Sequence, residues 1–237
     1  MPICVICDQK VERWLPHPQR DSLGQFTRMV GSVGSDLERH ICPSCHCNDR
    51  DRHLWLYLRA AGIIDHIARS RILHIAPERV LEIRFKSMQP REYVLGDLMP
   101  QREGLQKLNV EKLPFADQSF ELILCNHVLE HVQNPGQAIS ELARCLAPGG
   151  ALVAQTPYSP KLKWTFEMDA KVSPAFAKLF YGQEDHVRLF GADLLSLFRA
   201  AGLDGAFLPH AKVLPGIDPA EYGVNEREPF FLFMRAS

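Results

Sequence analysis

Residues 120–132 read FELILCNHVLEHV, and this stretch decides the fold that the sequence predicts. It opens with a short apolar run of strand length, FELIL, which ends at Cys125 and Asn126. Beyond these two residues the apolar side chains recur at helical spacing, at Val128, Leu129 and Val132. The stretch therefore predicts a buried strand followed by a helix, which is the repeating unit of an α/β protein.

Hydrophobic periodicity places further strands and helices on both sides of this stretch. We expect strands at residues 71–76, 92–98, 105–110, 151–155, 205–208 and 230–234, and helices at 80–88, 134–146 and 192–201. Strands that alternate with helices predict a mostly parallel sheet covered on both faces. Ligands of such sheets bind beyond the carboxyl ends of the strands, here near the first and fourth strands.

The composition limits the classes of protein to consider. The chain has 237 residues, of which 46% are hydrophobic, enough for one α/β domain and a small appendage. A net charge of -1 lacks the overall positive charge that is typical of nucleic-acid-binding domains. We expect no membrane span and no signal peptide. Seven cysteines without a secretory signal favour a reducing, cytoplasmic location, where metal sites and free thiols outnumber disulfides.

Two C-x2-C pairs, Cys4 with Cys7 and Cys42 with Cys45, have the spacing of a zinc site. Each pair lets a tight turn direct two sulfurs at one ion, and four thiolates leave no position for a catalytic water. We therefore expect a structural zinc ion. Unligated thiols or a disulfide pair are the alternatives, and the neighbouring His46 and Cys47 are possible substitute ligands.

The residues between the two cysteine pairs are rich in turn formers and poor in apolar side chains. Such a segment buries little core, so a bound metal ion is a reasonable source of its stability. The sequence DRDRHLWLYLRAAG that follows predicts a helix ending at Gly62. A knuckle that leads into a helix resembles a treble-clef finger. We assign residues 1–61 to a zinc-binding module, which could contact a protein partner, and residues 62–237 to the α/β domain.

Three pieces of sequence, in order, resemble the class I S-adenosylmethionine (SAM) methyltransferases. They are LPFADQSF at residues 113–120, FELILCNHVLEHV at 120–132 and ELARCLAPGGALVAQTP at 141–157. The resemblance covers residues 71–154 and is closest to the type 11-like subgroup with an HVLEHV sequence. It implies a Rossmann-like seven-stranded sheet, SAM as cofactor and methyl transfer as the reaction.

The resemblance also assigns the cofactor site. Asp97 would accept two hydrogen bonds from the ribose hydroxyls, although a strand-end turn aspartate is the alternative. Asn109 stands where the family usually has an aspartate for the adenine amino group. The glycine-rich first turn is replaced by HIAPE, as in relatives that share the cysteine module, so that side chains take over its contacts. The residues assigned to the cofactor are His74, Ala76, Glu78, Asp97, Asn109, Val110 and Asn126.

Residues 157–191 form a long connection that we interpret as a lid over the acceptor. A solvated turn before a helix is the alternative for its EDHVR sequence. We assign Tyr158, Glu184, Asp185 and Arg188 to the substrate. His127 or His186 is the expected general base, because a neutral imidazole suits proton transfer near pH 7. His74 is also explained by a buried histidine bonded to the backbone.

Residues 127–131, HVLEH, match the H-x-x-E-H pattern of one class of zinc peptidase. No third ligand or peptide-binding strand is evident, so we prefer methyl transfer to an oxygen or nitrogen of a small or medium-sized metabolite. A protein or RNA acceptor presented by the zinc module is also open. A non-catalytic scaffold that has lost its cofactor along with the glycine loop is the rival.

Overall fold

The computed structural model describes residues 1–20 and 24–236. Within these residues the strands are β1 (Arg71–Ile75), β2 (Glu92–Asp97), β3 (Gln106–Lys107), β4 (Phe120–Cys125), β5 (Leu146–Val153), β6 (Phe166–Glu167), β7 (Arg188–Leu189), β8 (Leu203–Leu208) and β9 (Phe230–Arg235). Seven of them form one sheet in the order β3-β2-β1-β4-β5-β9-β8. Strands β1 to β5 run parallel, and β9 is antiparallel to both its neighbours. The predicted Rossmann-like sheet is confirmed.

The helices cover both faces of this sheet. They are α1 (Gln25–Met29), α2 (Asp49–Ala60), α3 (Arg79–Ser87), α4 (Pro135–Cys145), α5 (Pro174–Tyr181), α6 (Leu194–Ala200), α7 (His210–Val213) and α8 (Pro219–Tyr222), with a 3-10 helix at Ile63–Arg69. Helix α2 begins with a capping box formed by Asn48 and Asp51, and Gly62 follows its end in the left-handed region. No helix of the described residues is long and apolar enough to cross a membrane.

Side chains along each strand alternate between two hydrophobic clusters. Leu73 and Ile123 belong to a cluster with residues of α4 and α6, whereas Ile72, Leu122 and Leu124 belong to one with residues of α2 and α3. This alternation is the period-2 geometry of strands buried on both faces. It explains why the strands read as nearly continuous apolar runs in the sequence.

Two local expectations were wrong. Residues 127–131 form a turn rather than a helix, because His127 has a φ of 54° and its N–H donates to Gln155 O at 2.7 Å. The chain reaches the start of α4 only eight residues later, at Pro135. Strand β3 has two residues rather than six, because the chain folds back at once into a bridge between Asn109 and Lys112.

The front of the chain packs directly on the sheet. Cys4 and Cys42 lie in the same hydrophobic cluster as Leu122 and Phe230, and the buried residues Leu54–Leu58 of α2 belong to this cluster as well. Helix α2 was predicted as the end of the zinc module. Its burial makes it a covering helix of the sheet as well, and a domain boundary after residue 61 stays a prediction.

The lid, residues 157–191, contains regular structure. Strands β6 and β7 form an antiparallel pair, and α5 begins at the capping residue Ser173 and ends before Gly182, whose φ is 103°. The lid packs against the front of the chain through a third hydrophobic cluster that contains Val30, Ala177 and Leu189. The lid is therefore held in place by residues far away in the sequence.

The guanidinium of Arg52 joins the front of the chain to its end. The side chain is fully buried and its N–H groups donate to five carbonyl groups, those of Cys47, Arg39, His40, Tyr222 and Gly223. The Trp14 ring lies 4.0 Å from the guanidinium carbon. A buried charge is tolerated here because every donor has a partner.

We expect Arg52→Gln to lower the free energy of unfolding by about 3–5 kcal/mol, because it leaves several buried carbonyl groups without a donor. Arg59→Gln, on the exposed end of the same helix, is the matched control and should change stability by less than about 0.5 kcal/mol. Urea unfolding followed by circular dichroism measures both. Equal stabilities of the two variants would contradict the role of Arg52.

Candidate active site and cysteine cluster

The carboxyl ends of β1 and β4 meet at the carboxylate of Glu78. Its Oε2 accepts from His74 Nε2 at 2.7 Å, and its Oε1 accepts from Asn126 Nδ2 at 3.1 Å. The turn between β1 and Glu78 places Ala76 in the left-handed region, with a φ of 48°. A polar side chain therefore lies at the switch point of the sheet, where ligands of such folds bind.

Glu78 carries a negative charge at neutral pH. Its burial raises the pKa of the carboxyl, but the hydrogen bond and the charge of His74 outweigh this effect and hold the pKa below its usual range. The side chain of Glu78 remains 20% exposed. The turn thus presents an ionised carboxylate to the edge of the sheet.

His74 does not itself reach this edge. The residue is fully buried, and its second nitrogen, Nδ1, lies 2.8 Å from the hydroxyl of Tyr93. Both ring nitrogens are therefore occupied, one by Tyr93 and one by Glu78. The prediction that His74 contacts the cofactor is corrected by this geometry: His74 orients Glu78, which is the group at the surface.

Asp97 is the last residue of β2 and Asn109 follows the neighbouring strand β3, so both lie at the same edge of the sheet. Asp97 Oδ1 accepts from Met99 N at 2.8 Å, and Asn109 Oδ1 accepts from Glu111 N at 2.9 Å. Both side chains thus make strand-end turns, the alternative considered for Asp97. A carboxylate has about four acceptor positions, so the turn leaves Asp97 able to bind a diol. Val110, beside Asn109, is buried.

The turn after β4 and the lid meet at a second buried carboxylate, that of Glu130. Its Oε2 accepts from Thr156 Oγ1 at 2.8 Å. Its Oε1 faces two imidazoles, with His127 Nδ1 at 3.6 Å and His186 Nε2 at 4.0 Å. The other nitrogen of His186, Nδ1, donates to Tyr181 O at 3.0 Å. The two predicted base residues therefore approach one carboxylate from different segments.

The charges of this cluster are fixed by their surroundings. Burial raises the pKa of Glu130, but His127 and His186 outweigh it and bring the value to about 2. Burial also lowers the pKa of His186, so that its imidazole is neutral near pH 7. A neutral imidazole beside an ionised carboxylate can accept a proton and hold the resulting positive charge.

A cavity of about 890 Å³ lies between the lid and the front of the chain. Its wall is formed by residues of both segments and by a loop near the end of the chain. The charged, histidine and amide residues in this wall include His17, Arg28, His40, Arg50, Lys178, Glu184, Asp185, His186, Asn225 and Arg227. Arg50 also lines the small pocket at the strand edge, beside Glu78, Asn126 and His127. The large cavity therefore adjoins the expected cofactor edge.

The residues predicted to contact the substrate occupy three kinds of position. Glu184 lines the cavity and pairs with Lys178 at 3.1 Å. Asp185 lines it too, with Oδ2 at 3.5 Å from His131 Nδ1. Tyr158 packs against aromatic rings of β8 and β9, and it is Pro157 that reaches the cavity wall. The lid therefore supplies two of these side chains to the cavity.

Arg188 does not line the cavity, because its side chain is buried and bonded to other groups of the protein. Its guanidinium pairs with Glu167 at 2.8 Å and donates to the carbonyl groups of Leu129, Val132 and Gln133. Only 1% of the residue is exposed. The assignment of Arg188 to the substrate is corrected: it holds the turn after β4 against the lid.

Sequence reasoning missed the cationic part of the cavity. Arg28, Arg50 and Arg227 come from three distant parts of the chain and share no motif. It also assigned Glu130 no role at the site. The only available signal was the acidic residue inside H-x-x-E-H, since the contact with His186 depends on how the lid folds back.

Five cysteines form a cluster at the front of the chain. The Sγ atom of Cys4 lies 3.5 Å from that of Cys47 and 3.8 Å from that of Cys45, and the Sγ atoms of Cys7 and Cys42 are 4.0 Å apart. Zn–S bonds of about 2.3 Å in a tetrahedron place sulfurs about 3.8 Å apart. The cluster is therefore compatible with a zinc site.

The cluster contains one sulfur more than zinc needs. Cys4, Cys42, Cys45 and Cys47 are mutually close, and Cys7 approaches the group through Cys42. A hydrogen bond from Cys47 lowers the pKa of Cys4 to about 4 against the opposing effect of burial.

Comparison with known proteins supports a methyltransferase domain in this chain. A profile described as a methyltransferase domain matches residues 87–154. A demethylmenaquinone methyltransferase of Lactiplantibacillus plantarum is 27% identical over 170 residues, which cover 64% of this chain and 70% of that protein. A demethylmenaquinone methyltransferase of Lactobacillus johnsonii is 30% identical over 95 residues, which cover 39% of each chain.

The fold agrees with these matches. The crystal structure of a SAM-dependent methyltransferase from Mesorhizobium loti superposes with a TM-score of 0.51 at 14% identity, over 74% of this chain and 94% of that one. It shares the general architecture of a sheet with helices on both faces. The matched domain, these relatives and the sheet order together support SAM-dependent methyl transfer on a Rossmann-like methyltransferase fold.

Proposed function

We propose that the protein methylates an oxygen or nitrogen of a small or medium-sized metabolite that binds in the 890 Å³ cavity. The observation that carries this proposal is the position of Arg50, which lines both the cavity and the pocket at the strand edge. An acceptor in the cavity would therefore lie next to a cofactor at the edge. Alignment of donor and acceptor supplies much of the rate of such a displacement.

The strand edge fits SAM through side chains rather than through a glycine loop. The ionised carboxylate of Glu78 suits the ammonium group of the methionine part, and Asp97 suits the ribose hydroxyls. Asn109 and Val110 are the proposed contacts of the adenine, and Asn126 donates a hydrogen bond to Glu78. When bound, SAM supplies the sulfonium methyl group. The protein contributes binding, orientation and removal of the acceptor proton.

His186 and His127 are the proposed proton acceptors. His186 lines the cavity, and its Nδ1–H bond to Tyr181 O leaves Nε2 free to take a proton. His127 lines the pocket at the strand edge. Because Glu130 lies between the two imidazoles, its charge stabilises whichever of them becomes protonated.

The cavity also favours an acceptor that carries a negative group. Four cationic side chains and two carboxylates lie in its wall, and Lys178 is already paired with Glu184. Among the described residues, no carboxylate lies within ion-pair distance of Arg28, Arg50 or Arg227. Guanidinium groups bind carboxylates and phosphates through paired hydrogen bonds. An anionic metabolite fits this wall better than a neutral one.

We propose a structural zinc ion in the cysteine cluster, held by Cys4, Cys7, Cys42 and Cys45. Two observations support this set. The backbone repeats itself in the two pairs, since the residue after the second cysteine of each pair, Asp8 or His46, has a φ near 60°. Each of these residues also donates its N–H to the carbonyl of the first cysteine of its pair.

S-adenosylhomocysteine should bind with micromolar affinity, and Asp97→Ala and Glu78→Gln should each weaken it at least tenfold. Each change removes charge-assisted hydrogen bonds of about 1.5–3 kcal/mol. Asp204→Ala, an exposed aspartate on β8, is the control and should bind normally. Isothermal titration calorimetry measures all four proteins. Unchanged affinity in both test variants would refute the assigned edge.

Protein purified without chelator should contain one zinc ion per chain, and Cys42→Ser should lose it and unfold. Zinc binding of this kind contributes about 10–16 kcal/mol, largely as folding free energy. Cys7→Ser should also lose zinc, whereas Cys47→Ser should retain it. Metal analysis and thermal unfolding decide this. If Cys7→Ser retained zinc and Cys47→Ser lost it, the fourth ligand would be Cys47 instead of Cys7.

His186→Ala should reduce methyl transfer about 100-fold or more while the affinity for S-adenosylhomocysteine changes by no more than a few-fold. General bases contribute about 10²–10⁴ to the rate, and the cofactor contacts lie elsewhere. Transfer from labelled SAM to small molecules of a cell extract measures the rate. His66→Ala, an exposed histidine, is the control. Normal transfer, or lost cofactor binding, in His186→Ala would contradict its role.

A further inference from the structure

The side chains of Glu130, His131 and His186 converge, and the described residues show no hydrogen bond among the three. A carboxylate oxygen of Glu130 and one ring nitrogen each of His131 and His186 lie within 4.8 Å of one another. Glu130 Oε1 and His186 Nε2 are 4.0 Å apart, which is too far for a hydrogen bond. The buried Nδ1 of His127, 3.6 Å from the same oxygen, has no hydrogen-bond partner among residues 1–20 and 24–236. Several lone pairs therefore face a common space.

Each of the three side chains is oriented by a hydrogen bond on the side away from this common space. His186 Nδ1 donates to Tyr181 O, and His131 Nδ1 lies 3.2 Å from Asp185 O. These bonds place the protons on Nδ1 and leave the Nε2 lone pairs available. Thr156 binds the other oxygen of Glu130. Histidines that bind metals usually donate the N–H of their other ring nitrogen to a carbonyl or carboxylate, and carboxylates that bind metals are also hydrogen-bonded.

We propose that Glu130, His131 and His186 bind a divalent transition-metal ion, with His127 beside it. Two imidazoles and one carboxylate form a ligand set for such ions that leaves further coordination positions open. His186 and the neighbouring Asp185 line the 890 Å³ cavity, so the open positions face the space assigned to the acceptor. The site is separate from the cysteine cluster and uses nitrogen and oxygen ligands.

This site differs from the peptidase arrangement that H-x-x-E-H predicts. There, two histidines on one helix bind the metal and the glutamate is the base. Here residues 127–131 form a turn, Glu130 points into the cluster, and one ligand comes from the lid. The lid and the turn would therefore be joined by the ion as well as by Arg188.

For the proposed function, such an ion makes a hydroxyl acceptor easier to deprotonate. With His186 as a ligand, the hydroxyl proton passes to His127, and the oxygen forms its new bond to the sulfonium methyl carbon. The carbon–sulfur bond breaks and its electron pair stays on S-adenosylhomocysteine. This consequence rests on the proposed function, whereas binding of the ion does not.

Manganese(II) is the selective probe, because thiolate sites prefer softer ions. Electron paramagnetic resonance of free Mn²⁺ during titration of the zinc-containing protein should show one bound ion per chain. His131→Gln and Glu130→Gln should weaken binding at least tenfold. Glu184→Gln, which removes a charge from the same cavity, and His66→Gln, an exposed histidine, should bind normally.

His131 is one-third exposed, so that His131→Gln remains informative where the buried Glu130→Gln does not fold. A Co²⁺ complex without sulfur-to-metal charge transfer would support nitrogen and oxygen ligation. Absence of Mn²⁺ and Co²⁺ binding outside the cysteine cluster would overturn the proposal, as would equal affinity in His131→Gln and wild type. Binding of S-adenosylhomocysteine to the same samples shows separately whether the methyltransferase assignment holds.

Discussion

The active-site region depends on the buried guanidinium of Arg188. This guanidinium is shielded from solvent. It joins the lid to the turn after β4 by donating to three carbonyl groups of that turn and by pairing with Glu167. The turn carries His127, Glu130 and His131, and the lid carries His186. Without this clamp the histidine of the lid would have no fixed position relative to Glu130. Charge-assisted bonds to carbonyl groups are strong enough to define such a junction.

The first turn of the sheet shows how a side chain can replace backbone. A glycine loop presents N–H groups to a ligand, whereas Pro77 has none and Ala76 carries a side chain. The carboxylate of Glu78 occupies the position instead, and the relay from Tyr93 through His74 holds it ionised and oriented. An ionised carboxylate attracts a positively charged group. The ammonium of SAM has this charge, which is consistent with the methyltransferase fold.

The sequence was sufficient for the sheet and insufficient for the site. The strands of the main sheet other than β3 were predictable, because each contains an apolar run bounded by turn residues, and β4 with Cys125 is the clearest example. Strand β3 consists of Gln106 and Lys107 alone, and its predicted length was wrong. Spacing at Val128 and Val132 suggested a helix, but one backbone angle at His127 and the short path to α4 decided otherwise. Local periodicity does not contain that information.

The site itself is assembled from distant segments. The pairing of His186 with Glu130 and the shared position of Arg50 depend on how the lid and the front of the chain meet. No spacing rule links residues so far apart. The cysteine pairs could be recognised in the sequence because the two cysteines of each pair are separated by only two residues. The fifth sulfur, that of Cys47, became relevant only through the geometry of the cluster.

The contacts of Arg52 with Gly223 and of Tyr57 with Glu228 each join residues 171 positions apart, and Trp14 donates to Ala220 across 206 positions. Contacts of such sequence separation slow folding, because the chain must close a long loop before it gains their energy. During synthesis the N-terminal segment leaves the ribosome long before these partners exist. Helix α2 therefore emerges with an apolar face and a charge that nothing yet covers. A nascent chain of this protein is exposed to aggregation until residues 220–228 have been synthesised.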